Sequence, residues 1–167
     1  IFANKASMGG GVYVLTGGTF NLSGGSISQN QATGKNADGI THGGGVYSAG
    51  TFNMSGGSIV ENKNNGIYVS SGVTTISEGT ISGNGENAIY VGGGTLKVNG
   101  GTIVGSIDGN SSSVSISGGE IRGNVSTNSV TGGTIYGTVK TNVALSIGNN
   151  ATILSKRRTS RKTYTGF

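Results

Sequence analysis

One column of residues constrains this chain more than any other feature. Ile1, Ile27, Ile59, Ile81, Ile103, Ile121, Ile135 and Ile153 recur with gaps of 26, 32, 22, 22, 18, 14 and 18 residues. A pattern rewritten at such intervals marks a repeat protein, in which each unit buries its apolar side only against its neighbours. Three residues after each isoleucine stand Asn4, Asn30, Asn62 and Asn84, then Ser106 and Asn124, with Thr138 and Lys156 closing the series. A second column precedes the first: Phe20, Phe52, Leu96, Val114 and Leu145, followed two places on by Leu22, Met54, Val98, Ile116 and Ile147. Spacing of two puts both members on one face of a strand. Between that strand and the isoleucine sits a glycine pair, Gly24-Gly25, Gly56-Gly57, Gly100-Gly101 or Gly118-Gly119, where the chain can bend. The third column reads "GVYV", "GVYS", "GIYV" and "AIYV", with Tyr13, Tyr47, Tyr68 and Tyr90 flanked by Val12, Val46, Ile67 and Ile89.

Three strand-like pieces per repeat are what one coil of a parallel β-helix needs, because each strand pairs with its equivalent in the next coil. The spacing predicts an all-β solenoid of about seven coils, roughly 4.8 Å apart. Shortening repeats and a second column that shrinks from Phe to Val predict narrowing toward the C-terminus. The isoleucines are expected inside, and the asparagines at a bend, each amide donating to the next. If Val12, Val14 and Val46 face inward, alternation sends the four tyrosines outward as an aligned stripe. The polar insertion "QATGKNADGITH", residues 31 to 42, is expected to leave the coil as a surface loop, with His42 solvated.

Composition agrees with a solenoid rather than an ordinary globule. Gly supplies 35 of 167 residues, Pro, Cys and Trp are absent, and 10% of residues are charged. Without Cys the chain has neither a disulfide framework nor a thiolate metal site. No apolar run of about 18 residues offers a membrane-spanning helix. The net charge of +5 is local: Lys156, Arg157, Arg158, Arg161 and Lys162 fall in the last twelve residues, leaving 6 bases against 6 acids in residues 1 to 155. The chain therefore divides into a β-helix over 1–155 and a basic tail or connector over 156–167, and the neutral body argues against nucleic acid. The opening "IFANKASMGGGVY" begins within a repeat, as an internal piece of a longer solenoid would.

The alternation of "IFAN", "ISQN", "IVEN" and "ISGN" with "GGGVY", "NGIY" and "NAIY" resembles the paired Gly-Gly-Ala-Ile and Phe-x-x-Asn motifs of polymorphic outer-membrane protein repeats and related bacterial surface adhesins. The likeness covers roughly residues 1 to 105, with Ile where that motif prefers Phe. It implies a right-handed parallel β-helix displayed outside a bacterial cell and used for attachment. The hand also follows the general chirality of parallel crossovers.

Catalysis finds little support in the residues. The acids Asp38, Glu61, Glu78, Glu86, Asp108 and Glu120 occupy different repeat positions, so no calcium-holding or general-acid cluster is assembled, and no catalytic, metal or cofactor-binding residue is assigned. Glu120 and Arg122 share one side of a strand and are expected to form a surface ion pair. Asp38-Gly39 and Asp108-Gly109 lack the repeat that would complete a calcium turn. Ice binding would need two hydroxyl columns. The residues before the isoleucines (Ser26, Ser58, Thr80, Thr102, Glu120, Thr134, Thr152) form one, but those after them include Val60, Arg122, Tyr136 and Leu154.

The expected role is a non-catalytic stalk or adhesive segment of a secreted or cell-surface bacterial protein. Tyr13, Tyr47, Tyr68 and Tyr90 form its candidate binding stripe, for a glycan or a host surface protein, and the coil ends are expected to associate end to end. The alternatives are a fragment of a carbohydrate-active β-helix enzyme and a phage fibre attachment segment, since fold alone does not set function.

Overall fold

The computed structural model describes residues 1–37, 39–110 and 113–155. Asp38, Ser111, Ser112 and the basic segment 156–167, including the ladder position expected at Lys156, lie outside the described residues. The chain is a parallel β-helix. Its first face is a seven-stranded sheet of Val12–Val14, Val46–Ser48, Ile67–Val69, Ile89–Val91, Ile107–Gly109, Val125–Ser126 and Val139–Lys140. The second and third faces belong to one ten-stranded sheet, in which separate strands such as Thr95–Val98 and Thr102–Val104 fuse in other coils into Thr51–Val60, Val73–Ser82 and Ser129–Ile135. Lys5–Ala6 pairs with Gln31–Ala32 at the corner that follows. All these pairings are parallel, and the seven strands of the first face match the seven coils expected.

Register follows the sequence columns. Ile27, Ile59, Ile81, Ile103, Ile121, Ile135 and Ile153 are consecutive cross-strand partners. All but the last are at most 1% exposed. The second face stacks Leu22, Met54, Ile76, Val98, Ile116, Val130 and Ile147. Two of its rungs are invisible to a search for apolar pairs. Thr74 takes the place between Phe52 and Leu96. Val130 takes its place in a coil whose second and third strands are continuous. Leu145, expected as the last member of this column, lies just before the strand Ser146–Ile153 and is 37% exposed.

Glycine at the corner between second and third faces is required by the backbone. Gly25, Gly57, Gly79, Gly101, Gly119 and Gly133 all have φ between 72° and 92°. At Gly79 a Cβ would also lie 2.6 Å from Met54 Cε and 2.7 Å from the Gly57 carbonyl oxygen.

The asparagine ladder is real and directional. The backbone NH and Nδ2 of Asn4 both donate to Asn30 Oδ1, those of Asn30 to Asn62 Oδ1, and those of Asn62 to Asn84 Oδ1, at 2.9–3.0 Å. Each Nδ2 also donates backwards: Asn30 to Ile1 O, Asn62 to Ile27 O and Asn84 to Ile59 O. One side chain thus clamps three coils. The glycine before the tyrosine strand makes room for it, since a Cβ on Gly11, Gly45 or Gly66 would lie 2.6–2.9 Å from Nδ2 of Asn30, Asn62 or Asn84. That contact is the physical link between the two halves of the repeat motif.

The ladder stops at Asn84, which corrects its expected continuation. Up to that coil, residues such as Gly85 to Ala88 connect the asparagine to the next first-face strand; after Ile103 that connection vanishes and Ser106 runs straight into Ile107. Ile67 N donates to Ala88 O and Ile89 N to Ser106 O, so Ser106 and, one coil on, Asn124 follow Gly66 and Ala88 rather than Asn84. Ala88 is tolerated because its Cβ faces the site of a glycine, Gly105, instead of an amide. This lost connection is the cause of the narrowing. The 14-residue coil from Ile121 to Ile135 closes through Thr127, which is fully buried. Its hydroxyl donates to Val114 O at 2.7 Å and accepts from Ser129 N, replacing a longer turn.

Candidate functional site

Strand alternation places Val46 and Ser48, Ile67 and Val69, and Ile89 and Val91 inside, all 0% exposed, and sends the intervening tyrosines to the outer side of the first face. There they form an unbroken ladder. Tyr13 meets Tyr47 edge to face at 4.9 Å between centroids, Tyr47 stacks on Tyr68 at 5.4 Å and 6°, and Tyr68 stacks on Tyr90 at 5.4 Å and 27°. The in-register pairs Tyr13–Tyr47, Tyr47–Tyr68 and Tyr68–Tyr90 hold these distances. Such contacts contribute about 0.5–1.5 kcal/mol each beyond simple burial.

The stripe is not uniformly open, contrary to the sequence expectation. Tyr13 is 44% exposed and Tyr90 half-buried, but Tyr47 and Tyr68 are only 8% and 5% exposed. The insertion covers them. His42, expected in solvent, packs edge-on against both rings, 5.1 Å from Tyr47 and 5.4 Å from Tyr68, and its Nδ1 is buried without a hydrogen-bond partner. Asn36 Nδ2 donates to the Tyr68 hydroxyl at 3.2 Å, and the Tyr47 hydroxyl donates to Ser70 Oγ at 2.8 Å.

The far end of the cover is fastened by a second amide system. Asn65, fully buried, donates through Nδ2 to Thr41 O at 2.7 Å and to Glu86 Oε2 at 3.0 Å. Its Oδ1 accepts from the backbone NH and Nδ2 of Asn87. The Thr41 hydroxyl donates to the other oxygen of Glu86. Sequence reading missed Asn36, Thr41 and His42 as partners of the stripe. The available signal was position: His42 stands directly before Gly43, Gly44 and Gly45, which feed the Tyr47 strand.

The remaining polar features have local partners. Glu120 and Arg122 form the expected surface ion pair, Nε to Oε1 at 2.5 Å, and the Arg122 guanidinium lies 5.4 Å from the Tyr136 ring centre. A pair this exposed contributes less than about 1 kcal/mol. Asp108 Oδ1 accepts from Gly109 N and Ser126 Oγ, both at 2.9 Å. Among the described residues no three of His, Cys, Asp and Glu come together, and no helix is long and apolar enough to cross a membrane. No family model, curated protein or solved structure matches the chain.

Proposed function

We propose that this chain is a non-catalytic stalk or adhesive segment of a secreted bacterial surface protein, and that the open end of the tyrosine ladder, at Tyr13, is its contact face. The observation that carries the reading is the unbroken row of four rings on the outside of the first face, open at the Tyr13 end. Aromatic faces exposed on a neutral, hydroxyl-rich body suit weak contact with a sugar chain or a surface protein, repeated along a rod. Leu15, two residues after Tyr13 and 64% exposed, adds apolar surface beside it. End-to-end association of the rod belongs to the same proposal, because among the described residues the outermost parallel strands have no further partner.

The test compares Tyr13→Ser with Tyr47→Ser on an array of host and bacterial glycans, with unfolding followed alongside. The reading expects Tyr13→Ser, which gives up a single ring contact, to lose binding while stability falls by no more than about 1.5 kcal/mol, and Tyr47→Ser to lose mainly stability. Binding unaffected by Tyr13→Ser, or no binding by any version, would leave the ladder as a stabilising feature of the sheet.

A further inference from the structure

A polar groove of about 540 Å³ runs along the corner where the third face ends, lined by Ala3, Lys5, Gln29, Gln31, Glu61 and Lys63. Its walls are two columns in coil register. The residues just before the ladder asparagines, Ala3, Gln29 and Glu61, make one; those just after, Lys5, Gln31 and Lys63, make the other. Backbone bonds fix both: Ala3 N to Ser28 O and Gln29 N to Val60 O on one side, Gln31 N to Asn4 O and Lys63 N to Asn30 O on the other. Asn30 and Asn62 turn inward between the columns, and their neighbours turn out.

The backbone shows that two of these side chains are held at a cost. Ala3, Gln29 and Glu61 have φ of 53°, 55° and 55°, and the next coil answers this left-handed position with Gly83 at 64°. Gly85 occupies the second column there, so the side chains that build the groove end where both columns become glycine. Glycine satisfies this turn without strain. Gln29 and Glu61 are exposed and pack into no core, and the bond they share, Gln29 Nε2 to Glu61 Oε2 at 3.1 Å, orients both toward the groove. Strain without burial points to what a side chain faces.

We propose that this groove binds an extended acidic polysaccharide in which uronate carboxylates alternate with neutral sugars. Lys5 and Lys63 take the carboxylates; Gln29, Gln31 and Glu61 take the neutral hydroxyl and amide groups between them. Two rungs separate the lysines, about 9.6 Å, and one rung is close to the length of one extended pyranose. A carboxylate on every second sugar therefore meets an ammonium on every second coil. Among the described residues neither ammonium forms an ion pair. Among the described residues no aromatic ring lines the groove, so charge and hydrogen bonds rather than stacking select the ligand. This site is separate from the tyrosine ladder and stands or falls without it.

Titration calorimetry on the full chain tests the proposal with a hyaluronan octasaccharide, a neutral chitin-type oligosaccharide of equal length and a poly-glutamate peptide. The hyaluronan probe should bind, more weakly as salt rises, and the other two should not. Lys5→Ala/Lys63→Ala should lower its affinity at least about tenfold through lost charge-assisted contacts. Gln29→Gly/Glu61→Gly should weaken binding while raising the thermal midpoint, which separates a lost ligand contact from a damaged fold. Failure of hyaluronan to bind, equal binding of the neutral sugar or the peptide, or affinity unchanged in either double variant would overturn it.

Discussion

Asn62 Nδ2 donates at 3.0 Å to Asn84 Oδ1 in the coil after it and at 3.1 Å to Ile27 O in the coil before it. Its own Oδ1 accepts two bonds from Asn30. Asn62→Ala removes these four bonds, leaves the buried backbone NH of Asn30 without an acceptor and should cost about 4 kcal/mol in denaturant unfolding, at about 1 kcal/mol per bond. Asn4→Ala, at the exposed end of the ladder, should cost less than about 1 kcal/mol. Equal losses at the two sites would mean that the ladder does not carry this stability.

The fit between glycine and amide predicts a coupled pair. Gly66→Ala pushes a methyl toward Asn84 Nδ2 and should destabilise by about 1–3 kcal/mol. Adding Asn84→Ser should recover part of the loss, because the smaller side chain vacates the space. A double-mutant cycle checks this; strictly additive losses would show that the two positions do not compete.

Thr74 is fully buried between Phe52 and Leu96, and its hydroxyl has no hydrogen-bond partner. Thr74→Val keeps the shape and removes the unpaired group, so it should stabilise by about 1 kcal/mol. A lower unfolding midpoint would show that this hydroxyl is satisfied in solution.

The cover over the ladder should loosen without the coil. Tyr68→Ser removes the acceptor for Asn36 and a ring surface for His42. Amide exchange should accelerate at Asn36 and His42, whose NH groups donate to Ile40 O and Gly34 O within the insertion, and stay slow at Ile59 and Ile81. Unchanged exchange at Asn36 and His42 would separate the cover from the tyrosines.

The architecture was legible because identical residues must stack. Each isoleucine column member sits against its own kind, so the column survives in the sequence as a column. Thr74 escaped because a polar residue fills an apolar rung, and Val130 because its coil fuses two strands into one. The end of the amide ladder escaped for a different reason: Ser106 keeps its distance from Ile103 while the connection after it disappears, so spacing alone assigns it to the wrong column. Tyrosine direction followed from alternation, but the burial of Tyr47 and Tyr68 depends on where the insertion folds back. A sequence column records what stacks within the coil and nothing of what lies over it.

The most direct test of the stacked-coil account compares neighbours on one strand. Ile81 is fully buried between Ile59 and Ile103, whereas Thr80 beside it is exposed between Ser58 and Thr102. Thermal unfolding of Ile81→Asp should lose its cooperative transition, because an unpaired charge enters the core at a cost of several kcal/mol. Thr80→Asp should stay within about 1 kcal/mol of the parent. An intact transition in Ile81→Asp, or equal damage from both substitutions, would contradict the register on which the ladder, its cover and the groove all depend.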